Sequence, residues 1–173
     1  IMEPDGRFLI RSLRGADVVL DQNIEPEPDL AAIHVMPSTD RYLLVTDTDK
    51  KPVANGTHSV QELDDSLPAP LIFGHVHAFR RDSGEPLWQT PATIENYSLP
   101  LVQPNESPTL WFLRRGTSAT SLNSPAPSER ISVLCLDRRD GRLLLAVDDV
   151  AAARPTSYNV QVDFENSTVT LVV

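Results

Sequence analysis

Apolar residues arrive along this chain in short runs that alternate with polar ones, and turn chemistry cuts the runs before any helical spacing develops. His75 to Arg80 has the period of a strand, Arg81-Asp82-Ser83-Gly84 that of a tight turn, and Pro86 to Thr90 that of a returning strand. Asp82 can bond its own backbone there, and Gly84 supplies the positive φ that closes the turn. The same hairpin returns at 133–147, and a shorter version lies at 8–20 with its turn at Arg14-Gly15. Residues 1–7 read as a polar, frayed start.

Between the hairpins the pattern predicts strand pairs. Ala32–Met36 and Tyr42–Thr46 form one, Leu99–Gln103 and Thr109–Arg114 a second, and 159–164 with 168–172 a third. Two long breaks, 47–70 and 116–128, interrupt them, and Val150 to Ala153 is helix-prone. A unit of hairpin plus strand pair thus recurs at about 8–46, 71–114 and 131–173. Repeats of this length with about four strands each predict an all-β fold of β-propeller blades. Three units do not close a propeller, which takes roughly four to eight. The reading is therefore one segment, 1–173, of a larger propeller, with a ring closed by several chains as a variant. A β-sandwich of about twelve strands is the alternative. Val133 to Leu136 is apolar on both faces, as a sheet lying between other layers requires.

Composition narrows the class. Fifteen prolines punctuate the loops and argue against an all-α protein. The net charge of -9 is the wrong sign for displacing counterions from a duplex, so nucleic acid is not an expected partner. Basic pairs such as Arg80-Arg81 and Arg138-Arg139 sit beside acids and read as solvated rims. No apolar run reaches the length of a membrane span. The lone Cys135 lies in an apolar strand and reads as a buried, inert thiol. The chain opens on Ile1 without a signal-peptide pattern, and reads as cut from something larger.

Residues 78–88, Ala-Phe-Arg-Arg-Asp-Ser-Gly-Glu-Pro-Leu-Trp, resemble the repeat motif of the quinoprotein-like (PQQ-like) propellers, Ala-x-Asp-x-x-Thr-Gly-Lys-x-x-Trp. Ala78, Gly84 and Trp88 match, while Arg80 replaces the motif's Asp. The copy at 135–145 keeps Asp137 and Gly141 and puts Leu145 in the tryptophan's place. The first copy keeps little beyond Gly15 and counts one or two residues short. The resemblance implies that Trp88 packs between blades and that Asp137 fixes its turn. It also implies a bacterial protein outside the cytoplasm, in the periplasm or cell envelope. The expected function is a non-catalytic scaffold or protein-interaction module, with no cofactor and no catalytic residue. Its expected partners are other proteins or the rest of its own propeller, and an oligomer is compatible. The competing reading is part of a PQQ-dependent quinoprotein oxidoreductase whose active site lies in other blades. A single cysteine and the lack of a Glu/Asn/Asp calcium constellation argue against that site lying here.

The candidate chemistry is sparse. His75 and His77 sit two apart on a strand, so their rings share a face and are candidates for a metal, with a third ligand from a neighbouring strand or from His58. Packing between blades is the plainer reading of the pair. The acidic pairs Asp64-Asp65 and Asp148-Asp149 and the Asp47-Thr48-Asp49 stretch lack the glycine and closing glutamate of a calcium loop. No nucleophile elbow or phosphate cradle occurs. N-x-[ST] sequons at Asn55, Asn96, Asn105 and Asn166 all fall in predicted turns or loops. Recognition is expected on loops 47–70 and 116–128, because loops on a rigid frame carry contacts while strands carry packing.

Overall fold

The computed structural model describes residues 3, 5–12, 17–48, 60–61, 69–101, 103–118, 128–151, 159–163, 165–166 and 168–172. Among these the fold is all-β and every strand pairing is antiparallel. The strands are β1 (Arg7–Arg11), β2 (Val18–Asn23), β3 (Leu30–Pro37), β4 (Arg41–Thr48), β5 (Val60–Gln61) and β6 (Leu71–Arg80). They continue with β7 (Ala92–Ser98), β8 (Thr109–Ser118), β9 (Ser128–Asp137), β10 (Leu143–Ala151), β11 (Asn159–Asp163) and β12 (Thr168–Val172). No helix in the described residues is long and apolar enough to cross a membrane.

One sheet runs β10-β9-β8-β7-β6-β4-β3, with β5 attached to β8, and two hairpins, β1-β2 and β11-β12, stand apart from it. The expected units at 8–46, 71–114 and 131–173 are not separate four-stranded sheets. β4 pairs with β6, and β8 pairs with β9 along its whole length, so ladders cross both boundaries. The link between β7 and β8 is by contrast a single pair, Ser98 to Leu113. No arrangement of separate radial blades is present among the described strands.

Other local expectations also shift. Residues 87–90 form no strand; only Phe79 bridges to Pro86, and the sheet resumes at β7, where a loop was expected. Pro86 has no N–H for a ladder and Pro91 closes the segment, which explains why the returning strand fails. Leu99–Gln103 is likewise not a strand. The Gln103 side chain accepts from Trp111 N and donates to Trp111 O, standing in for a neighbour's backbone. Asn96, expected in a loop, is the extra residue of a bulge in β7, with φ 65°. Gly6, expected to be frayed, is buried and accepts from Ile24 N. Most of 47–70, all of 119–127, Asn55, His58 and Asp64-Asp65 lie outside the described residues, as do Ala152 and Ala153; of the loop expected at 116–128, residues 116–118 belong to β8 and 128 to β9, and Val150 and Ala151 belong to β10.

The alternation along the strands sorts side chains onto two faces. Leu43 and Val45 of β4, Val76 and Ala78 of β6, Leu110 and Phe112 of β8 and Leu136 of β9 share one core with Trp88 and Ile94. On the opposite face, Tyr42, Leu44 and Phe79 are covered by Phe8, Leu20 and Ile24 of the first hairpin region. At the far end Trp111, Leu113, Val133 and Cys135 are covered on that side by Val162 and Val169 of the last hairpin. Strands β4, β8 and β9 are therefore buried on both sides, as the apolar run at 133–136 required. Burial pushes the Cys135 thiol up to about 11, so it stays protonated and unreactive.

One closing hydrogen bond is common to the three sequence copies. Ser12 N donates to Asp17 O, Arg80 N to Glu85 O and Asp137 N to Arg142 O, so each turn closes the same number of residues. The first copy is thus not short. Counting on from each bond, Leu20, Trp88 and Leu145 are equivalent positions. Gly84 and Gly141 have φ 76° and 77°, and each donates back to the first residue of its turn. The next step is what joins the copies: Gly84 rests on the side chains of Leu20 and Gln22, and Gly141 rests on the Trp88 ring. Gly84 and Gly141 thus each pack on the hairpin before their own.

Candidate functional site

This stacking brings three turns to one end of the molecule: Ser38–Asp40 before β4, Asn105–Pro108 before β8, and Arg138–Asp140 after β9. Arg138 sits where they meet. Its backbone N donates to Pro108 O (2.9 Å), and its carbonyl accepts from Arg41 Nη1 (2.6 Å) and from Trp88 Nε1 (3.1 Å). Ser38 Oγ donates to Asn105 O (2.8 Å) and Thr39 Oγ1 to Glu106 Oε1 (2.6 Å), which ties the β4 end to the β8 end although the two strands are far apart in sheet order.

Arg138 is only 3% exposed, against the solvated rim expected for the Arg138-Arg139 pair. Arg81, which holds the equivalent turn position, stays exposed as expected while it donates to Ser38 O and lies over the Tyr42 ring. Arg139 is the exposed member, paired with Asp137. Burial, with Arg41 nearby, pulls the Arg138 guanidinium down to about 10, against the opposing pull of Glu106, so it stays charged at neutral pH.

Beside it lies a hollow of about 410 Å³ lined by Ser38, Asp40, Arg41, Glu106, Asp137 and Arg138, among others. The charges in its wall are mostly satisfied already. Arg41 forks onto Asp40 through Nε (2.8 Å) and Nη2 (2.6 Å), which holds that carboxyl below its usual range. Asp137 Oδ1 accepts from Arg139 N (2.8 Å), which ties down its own turn. Arg138 Nη1 donates to Asn105 O (2.7 Å), while Nε and Nη2 are buried without a protein partner.

The histidine pair lies on the opposite part of the frame. His75 and His77 share a face of β6, with ring centroids 6.3 Å apart, and His77 stacks on Phe79. The acidic connector after β2 crosses above them. Glu27, whose side chain is 8% exposed, accepts from Thr46 Oγ1 and sits 2.8 Å from His75 Nδ1. Glu27 thus fastens the connector to the sheet, a role that sequence spacing could not reveal. Among the described residues no three His, Cys, Asp or Glu side chains are grouped to hold a metal ion.

Burial keeps His77 neutral, lowering it to about 4, and lowers His34 as well. Between about 6.5 and 4 the unfolded chain therefore takes up protons that the folded chain refuses, so stability falls as pH drops through that window and is flat above it. The expected loss attributable to His77 is on the order of 1–2 kcal/mol. Urea midpoints measured between pH 7 and 4.5 should decline in the native protein and decline less in His77→Gln; equal slopes would remove His77 as the cause.

Of the motif residues, Ala78 and Trp88 are in the main core, Gly84 and Gly141 occupy the turn-stacking positions, and Asp137 accepts from its own turn. Compared with protein-family models, with curated proteins and with solved structures, the chain matches none.

Proposed function

We propose that this chain is a non-catalytic scaffold, a segment of a quinoprotein-like repeat protein that works by docking hairpin units side by side, outside the cytoplasm. The turn stacking carries the reading. Leu20 receives Gly84, Trp88 receives Gly141, and Leu145, third in the series, is 41% exposed on β10 at the end of the sheet. Leu143, Leu144 and Val147 extend the same exposed apolar strand. An apolar edge strand of this kind is a template for a further unit. The unbroken sheet gives no such support, since separate blades would divide it where β4 meets β6.

The occupant proposed for this edge is another turn of the same kind, from further repeats or from a second copy of the chain. Sedimentation velocity across a concentration series should show self-association. Leu143→Arg with Leu145→Arg should abolish it without shifting the melting temperature. A protein that stays monomeric at its solubility limit, or associates equally well with both substitutions, would sink the proposal.

A further inference from the structure

Two joins inside the molecule follow one register. Arg41, the first residue of β4, faces Arg80, and Thr109, the first residue of β8, faces Asp137. Arg80 and Asp137 are the residues whose N–H groups close the turns that follow. One residue further on, Arg81 N donates to Asp40 O and Arg138 N to Pro108 O, each at 2.9 Å. The faces repeat as well. The second and fourth residues of β4 and β8 turn back onto the hairpin before them: Tyr42 and Leu44 cluster with Phe8, and Leu110 and Phe112 with Val76 and Trp88. The third residue turns forward onto the strand that follows, Leu43 beside Ala78 and Trp111 beside Cys135.

β12 closes the third strand pair and repeats the backward half of this pattern. Val169, its second residue, packs on the cluster of Trp111 and Cys135. The forward half has no counterpart among the described strands. There β12 pairs with β11 alone, so alternate N–H and C=O groups on its outer side face away from any ladder. Thr170, in the place of the buried Leu43 and Trp111, is exposed. We propose that the outer edge of β12 takes up the strand and turn of a hairpin from a separate polypeptide, antiparallel, with the residue that opens its turn opposite Thr168. Continuity with the β4–β6 and β8–β9 joins sets that register, and the backbone ladder supplies the affinity. Thr170 decides the source of the hairpin. A polar residue where the internal joins bury Leu43 and Trp111 suits an interface that forms and dissociates, hence a partner protein rather than a permanent continuation of the sheet. This inference rests on the scaffold reading and adds to the Leu145 seat a backbone contact, a kind of partner and a register.

The test uses the whole isotope-labelled chain and a synthetic peptide of residues 128–142, which is β9 with its turn, the element the protein itself lays along β8. Saturating peptide should slow hydrogen exchange of the outward amides of β12 about ten-fold or more. A nitroxide carried at the peptide's Asp137 should broaden Thr168 more than Val172; the reverse gradient overturns the register. Thr170→Leu restores the apolar forward residue and should tighten peptide binding about three-fold or more, while Thr170→Asp should weaken it by a similar factor. Thr170 is exposed, so both variants should fold. Affinity that ignores both substitutions overturns the proposal. Peptide that protects Leu143 to Val147 but not β12, or self-association of a chain that takes no peptide, overturns this inference and leaves the scaffold reading standing. A chain that takes no peptide and stays monomeric sinks both.

Discussion

Trp88→Ala is expected to lower the unfolding free energy by about 3–5 kcal/mol, the cost of removing a large aromatic from a packed core. Trp88 is 5% exposed, belongs to the largest apolar cluster and donates its indole N–H to Arg138 O. Its loss would leave a cavity and free the carbonyl around which the three turns are tied. The partner position gives a sharper test. A Cβ added at Gly141 would lie 2.5 Å from Trp88 Cε3, and φ there is +77°. Gly141→Ala should therefore cost about 1–2 kcal/mol for the left-handed backbone and about 1–3 more for overpacking. At Gly84 the neighbour is the flexible end of Leu20 at 3.0 Å, so Gly84→Ala should cost little beyond the backbone part. Trp88→Ala makes room for the methyl, so the Trp88→Ala/Gly141→Ala double variant should lose less than the sum of the singles. Urea denaturation of all four proteins measures this coupling, and strict additivity would show that the indole and the turn do not bear on each other.

What could be read from the sequence was whatever depends on local period and turn chemistry. Most of the strands, though not β5 or β7, the turns at Gly84 and Gly141, the two-faced burial of 133–136 and the buried Cys135 follow from alternation and from the residues that break it. Strand partnership was not readable. Nothing in residues 41–48 states that they pair with β6 across the 49–70 break, and equal-looking units were assumed to pair within themselves. Arg138 was misjudged because Arg-Arg pairs were compared as pairs. Arg80, Arg81 and Arg139 are exposed as that reading has it; Arg138 alone is buried, held by Pro108 O and Asn105 O from a turn on another strand pair. Glu27 was missed because its partners, Thr46 and His75, come from two other strands, and charge in a proline-rich connector reads as solvated.

Gly74→Ala is expected to be as damaging as any core truncation, although Gly74 sits inside a strand at an ordinary φ. The β4–β6 ladder runs from Arg41–Arg80 to Val45–Val76 and then parts. Beyond it, side chains replace the backbone pairing: His75 N donates to Thr46 Oγ1 (2.9 Å), Phe73 N to Asp47 Oδ1 (2.9 Å), and Thr48 Oγ1 to Phe73 O (2.7 Å). Gly74 lies at the centre of this exchange, where an added Cβ would overlap the carbonyl of Thr46, a backbone group that cannot turn aside. The strands would have to separate, and the half-buried N–H groups of Phe73 and His75 would lose their partners. With overpacking at about 1–3 kcal/mol and each half-buried donor that loses its partner at about 1, the low end of that penalty, the expected cost is about 3 kcal/mol or more. Gly116 is the internal control, since nothing lies within 4 Å of its Cβ position, and Gly116→Ala should change stability by no more than about 0.5 kcal/mol. Hydrogen exchange localises the effect: in Gly74→Ala the amides of Phe73 and His75 should lose protection well before those of Trp111 and Leu113. Equal melting temperatures for Gly74→Ala and Gly116→Ala would mean that β4 and β6 do not approach as closely as this account requires.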